Sequence, residues 1–172
     1  MLLDINHSKI LLNAALETGL PVWVGLSCCD SKFDNSIIGR NFRAEKENSL
    51  IYDENKYKDQ PKYLPEDNII LLEDIIKSLT SLGGDVYGIM HTWFQDSISG
   101  LKILKNNWKG PIMFYPEIHK FDTNTHKAII TMTEEEFSNS ILELIDDQIQ
   151  IVGGCCGVND KHLKRLIQSI SE

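Results

Sequence analysis

Four short, largely apolar runs, each followed in turn by a segment with helical spacing, constrain this chain more than any other feature of its sequence. The runs lie at 21–26 (PVWVGL), 85–90 (DVYGIM), 111–115 (PIMFY) and 149–152 (IQIV). They are short and mostly continuous rather than strictly alternating, the pattern of parallel strands covered by helices. Around them, 5–18, 69–82, 96–107, 133–146 and 159–170 carry apolar residues at three- and four-residue spacing. Gly19 with Pro21, Gly83-Gly84 and Gly110-Pro111 supply helix stops; Thr133 before Glu134-Glu135-Glu136, and Asn159 or Asp160, supply starts. The predicted order is one helix and then four βα units. An open doubly wound sheet and half of an eight-stranded barrel both satisfy it. Periodicity does not choose between them, but no Gly-rich dinucleotide fingerprint follows any strand.

At 172 residues the chain has the length of one domain with a real core. Its net charge of −8 repels nucleic acid and anionic membrane surfaces. No apolar run approaches the ~20 residues that span a bilayer, and no signal-peptide pattern opens the sequence, so the expected compartment is the cytosol. The cysteines form two adjacent pairs, Cys28-Cys29 and Cys155-Cys156. That is a poor disulfide framework and, in a reducing compartment, points to metal binding or thiol chemistry. A thiol-redox protein is disfavoured by the lack of Cys-x-x-Cys spacing. Residues 28–68 carry many charges, several Asn and two prolines without a sustained apolar period. They are expected to form a polar, solvated insertion, a lid or a partner contact.

In a parallel α/β protein the working residues sit where strands end. Cys28 and Cys29 follow the first strand, His91 the second, Tyr115 to Glu117 the third, and Cys155-Cys156 the fourth. Since all strand ends share one face, His91 and the two late cysteines can meet at one ion. Glycines on both sides of Cys155-Cys156 let two successive side chains turn toward one centre. Two thiolates and an imidazole suit zinc and leave a fourth position open. A pair of buried apolar cysteines, or a strained vicinal disulfide, is the plainer alternative.

The stretch Ile151-Val152-Gly153-Gly154-Cys155-Cys156-Gly157, followed by a helix with His162, Leu163 and Leu166, resembles the end of the homocysteine S-methyltransferase barrel. Gly19-Leu20-Pro21-Val22-Trp23-Val24 is similar to that family's fifth strand, and Tyr115-Pro116 to the turn ending its seventh. The resemblance implies the C-terminal half of a TIM barrel, strands five to eight, as a single partial homocysteine-binding domain over 1–172 with the insertion at about 28–68. It implies a zinc-dependent methyltransferase of methionine biosynthesis, whose metal keeps the homocysteine sulfur as a thiolate that attacks a donor's methyl group. The implied metal ligands are His91, Cys155 and Cys156. Cys28, Trp93, Tyr115 and Glu117 are weaker candidates for contact with substrate.

Two departures from the family pattern bear on this reading. Where the family's sixth strand ends in Asn-Cys, this chain has Met90-His91-Thr92, so an imidazole replaces one thiolate. The family's front half, with an Asp-Gly-Gly-type motif and a Glu that holds the substrate's amino group, has no counterpart here. A homo-oligomer or a separate N-terminal half-barrel chain is therefore expected to complete the site. The alternative is a non-catalytic zinc-binding or assembly module, a truncated relic of the enzyme.

Overall fold

The computed structural model describes residues 5–40, 44–46, 69–122 and 127–171. In chain order its elements are α1 (Ile5–Leu16), β1 (Trp23–Leu26), β2 (Cys28–Asp30), β3 (Ile37–Gly39), α2 (Leu72–Thr80), β4 (Val86–Trp93), α3 (Phe94–Asn107), β5 (Ile112–Glu117), β6 (His119–Asp122), β7 (Lys127–Ile130), α4 (Glu134–Leu142), β8 (Ile149–Val152) and α5 (Asp160–Ser171). The main sheet has four parallel strands in the order β1-β4-β5-β8. Each βα unit thus adds its strand beside the last, with no reversal of direction across the sheet.

Local chemistry explains the helix limits. Thr133 forms a full capping box, its Oγ1 accepting from the Glu136 amide at 3.2 Å while Glu136 Oε2 accepts from the Thr133 amide at 2.8 Å. At the other end α4 stops at Leu142, short of the 146 expected from spacing. The Asp146 carboxylate accepts from the Gln148 and Ile149 amides, each at 3.1 Å, which turns the chain directly into β8. Asn159 caps α5, accepting from the Lys161 amide at 2.9 Å. In α2, Leu72, Ile76 and Leu79 share one stripe and are buried.

The helices cover one face of the sheet. Leu26, Tyr87, Ile89, Ile112, Phe114 and Ile149 of the strands share a core with Ile76, Leu104, Phe137, Ile141 and Leu166 of the helices. The opposite face is less covered than the apolar strands suggest: Trp23 is 55% exposed, and Met90 and Tyr115 are only half-buried. Continuous apolar strands predict helices on both faces, but Gly25 and Gly88 on the second face bring Met90 and Met113 close to the backbone instead.

Two antiparallel hairpins, β2–β3 and β6–β7, follow the ends of β1 and β5. The first occupies the start of the stretch read as a solvated insertion. Its described part is mixed: Cys28, Cys29, Ile38 and Ala44 are buried, whereas the turn Lys32 to Asn35 is exposed. Residues 41–43 and 47–68 of that stretch lie outside the described residues.

Candidate metal centre

Three strand ends build the centre. At the end of β4 the pairing with β5 shifts register between Met90 and Trp93. His91 there takes a left-handed backbone conformation, φ 49°. A bulge of this kind re-aims a side chain, and a non-glycine residue at positive φ marks a constrained position. Thr92, fully buried, fixes the bulge by accepting from the Cys28 amide at 3.0 Å and donating to the Met90 carbonyl at 3.0 Å.

The Gly153-to-Gly157 loop is zipped onto the end of β5. The Gly153 amide donates to the Phe114 carbonyl (3.1 Å), the Cys155 amide to Pro116 (3.0 Å), and the Ile118 amide to Cys156 (2.9 Å). Gly157 adopts φ 90°, and a side chain at Gly154 would strike Val158, so the turn around the two cysteines requires glycine on each side. This ladder sets Cys155 and Cys156 beside Glu117, whose side chain is fully buried.

The ligating atoms of His91, Glu117, Cys155 and Cys156 all lie within 4.8 Å of one another. His91 Nδ1 is 3.4 Å from Cys155 Sγ, 3.7 Å from Cys156 Sγ and 3.3 Å from Glu117 Oε2, and the two sulfurs are 3.9 Å apart. Tetrahedral zinc with ordinary bond lengths gives edges of about 3.8 Å between sulfurs, about 3.6 Å between sulfur and nitrogen and about 3.4 Å between nitrogen and oxygen. The four separations among His91, the two sulfurs and, from His91, Glu117 are therefore close to the edges of a zinc tetrahedron, and those from Glu117 to the sulfurs are within 4.8 Å. Glu117 Oε2 is buried and accepts no hydrogen bond among the described residues, so its lone pairs face the other donors. Burying a carboxylate oxygen against sulfur and nitrogen acceptors is costly unless a cation sits among them.

Protonation agrees with that role. Burial holds the His91 imidazole below its usual value, against the pull of the Glu117 carboxylate and with the help of the Arg40 guanidinium. A neutral imidazole is the ligand form. Burial, and then the neighbouring Cys155 sulfur, push the Cys156 thiol up, so a nearby cation favours its ionisation.

The structure therefore brings together His91, Cys155 and Cys156, the three residues expected as metal ligands, and adds Glu117, expected only as a weak substrate contact. The other weak candidates lie apart from the cluster. Cys28 is 1% exposed and packs in the core, its sulfur 3.8 Å from the Asp96 carbonyl; burial pushes its thiol far up, as suits an inert packing residue. Trp93 is half-buried beneath the Lys120 ammonium, 5.1 Å from the ring centre. Tyr115 packs against Gly153 and supports the cysteine loop from below. Sequence reasoning missed Arg40 altogether. It is 5% exposed, donates to Glu117 Oε1 at 2.9 Å and to the His91 carbonyl, and lies 3.6 Å from Glu45. A single Arg in a polar stretch gives no signal of this placement.

A cavity of about 640 Å³ opens beside the cluster, with Arg40, His91 and Cys155 at one end. Its walls are apolar, from Leu12 of α1, Val24 of β1 and Ile75 of α2, and it runs along the β1 edge of the sheet.

Parallel βα units with a Cys-Cys-His-Glu cluster on the C-terminal rim of the strands define a candidate thiolate-metal α/β protein. The family model described as homocysteine S-methyltransferase matches residues 70–170, which include all four donors. The chain belongs to the homocysteine S-methyltransferase family. Curated proteins give no match to it. Among the described residues no helix is long and apolar enough to cross a membrane.

Proposed function

We propose that this chain is the strand-five-to-eight half of a TIM barrel that binds zinc through His91, Cys155 and Cys156, with Glu117 a fourth donor that the substrate thiol displaces, and methylates homocysteine, in the cytosol, with a partner supplying the other half. The observation that carries the reading is the set of separations among His91 and the two cysteines on the strand rim, close to the edges of a zinc tetrahedron, with Glu117 Oε2 3.3 Å from His91. Bound zinc supplies a Lewis acid that keeps a substrate thiol ionised at neutral pH. The residues around it hold the reacting sulfur in place. Cys155 and Cys156 donate charge from a loop that backbone hydrogen bonds keep rigid, and the bulge at His91 fixes the imidazole's direction. In-line methyl transfer asks little more than a deprotonated, aligned nucleophile.

The half-barrel reading is supported by the strand order, which advances one place per βα unit, and by the coverage of one face only. A doubly wound sheet reverses its strand order and carries helices on both faces. The edges of β1 and β8, which pair with no further strand among the described residues, with Trp23 exposed beside the first and Ile167 and Ile170 (64% and 56% exposed) on the helix after the second, fit a surface that a further half-barrel covers.

One observation favours a second reading, a zinc-binding or assembly module without turnover. The described lining of the cavity contains no carboxylate to hold an amino acid's ammonium group. Metal analysis and a homocysteine methylation assay, with and without a complementary front-half polypeptide, decide between the two. Stoichiometric zinc with activity only in the mixture supports the enzyme. Zinc without activity in either supports the module, and absence of zinc defeats both.

A further inference from the structure

We infer that Arg40 is a positioning residue for the metal centre, a clamp that makes Glu117 a one-oxygen ligand for a divalent cation. The inference rests on the metal reading above and adds a residue from outside the matched segment 70–170. Arg40 follows β3, and its backbone amide donates to the Ser27 carbonyl at 3.0 Å while the Ser27 hydroxyl donates to the Met90 carbonyl at 2.9 Å. The guanidinium is thus delivered from the first hairpin onto the ends of β1 and β4. There one nitrogen serves two of the four donor residues. It donates to Glu117 Oε1 at 2.9 Å and to the carbonyl of His91, the residue held at φ 49°.

The division of labour within Glu117 follows from this contact. Arg40 occupies Oε1, which leaves Oε2 directed at His91 Nδ1 without a hydrogen bond of its own among the described residues. A fully buried carboxylate without a hydrogen-bond donor beside it is costly, and turning toward another donor or toward water removes it as a ligand. The planar fork of arginine keeps its charge under all ordinary conditions and fixes direction as well as sign. Arg40 also faces Glu45, 3.6 Å away and 2% exposed. Two thiols, an imidazole and a carboxylate oxygen suit a dication of borderline softness.

The test is zinc affinity by competition with a chromophoric chelator, together with the visible absorption of the cobalt-loaded protein. Wild type is compared with Arg40→Gln, Arg40→Lys, Glu117→Gln and the double variant Arg40→Gln/Glu117→Gln. Loss of an outer partner of a metal ligand typically lowers affinity by about ten- to a hundredfold, and Arg40→Gln is expected in that range. Because Arg40 acts through Glu117, the double variant should bind little more weakly than Glu117→Gln alone, and their cobalt spectra should coincide. A purely structural arginine would instead give losses that multiply. That result, or wild-type affinity in a cooperatively melting Arg40→Gln protein, overturns the inference. If Arg40→Gln does not fold, Arg40→Lys decides: an ammonium cannot reproduce the guanidinium fork, so a several-fold loss is expected and unchanged affinity overturns the clamp. A wild-type protein that takes up no zinc or cobalt defeats the metal reading itself and the clamp with it, which separates that failure from a silent Arg40.

Discussion

The two sides of the sheet obey different rules. Around β4, β5 and α4 the side chains are enclosed: Tyr87, Phe114, Phe137 and Ile141 are at most 1% exposed, and the strand ends carry the four converging donors. Around β1 and α1 the same residue types meet water: Ile10, Leu11, Leu20 and Trp23 are 52–69% exposed along an edge that pairs on one side only. Both regions are apolar in sequence. The difference is the number of neighbours each strand has, which shows that apolar sequence alone does not place a residue in a core.

Core truncation should separate the two sides most sharply. Phe137→Ala removes a fully buried ring and is expected to cost about 3–5 kcal/mol in chemical denaturation. Trp23→Ala on the open edge should stay within about 0.5 kcal/mol and should reduce self-association in sedimentation instead. Equal losses at the two positions would mean that the β1 edge is covered after all.

Removing a metal donor comes next. If about 10–16 kcal/mol of zinc binding is shared by four ligands, Cys155→Ala or Cys156→Ala should lower affinity on the order of a hundredfold or more. His91→Cys should keep the metal, since it exchanges one zinc donor for another. Stoichiometric zinc in the Cys155→Ala/Cys156→Ala protein would move the metal elsewhere.

The capping box at α4 is worth less. Thr133→Ala should lower stability by about 1 kcal/mol, read as a shift in denaturation midpoint with unchanged slope. The smallest effect is at the exposed Lys105–Asp146 pair, 2.7 Å apart. The hydrogen bond from Lys105 holds the Asp146 carboxyl below the usual carboxylate range. Its contribution is therefore complete above about pH 4, the ordinary value, and is lost as pH falls through the lowered one. Asp146→Asn should lower stability slightly at neutral pH, flatten that part of the acid-stability curve and leave the most acidic region nearly unchanged.

The large elements were legible because their signals are local. Each helix had a spacing of apolar residues and a stop such as Gly83-Gly84, and Thr133 with Glu136 announced the start of α4. The rim was legible by topology, since parallel strands place His91, Glu117 and Cys155 on one face. The hairpins were not. β2 and β3 have three residues each, too few for alternation to register, and β7 is exposed at every position, so no buried stripe marks it. The β4 bulge was also hidden: nothing in Met90-His91-Thr92 states that the chain will turn to positive φ there. The sequence reading consequently named three members of the cluster as candidate ligands but had no means of seeing that a hairpin arginine donates to the fourth, Glu117.

The burial of the first cysteine pair turns the chain into its own reporter. Cys28, packed against α3, and Cys29, in a small cluster with Ile38 and Ala44, are sealed to within 1% of full burial, whereas Cys156 is exposed and Cys155 half-buried. A thiol-modifying reagent can reach the late pair in the native state but must wait for an opening of the structure to reach the early pair. When opening and closing are fast, the slow phase of labelling measures the free energy of that opening. One reagent then gives two clocks, one for access to the rim and one for the integrity of the fold beneath it.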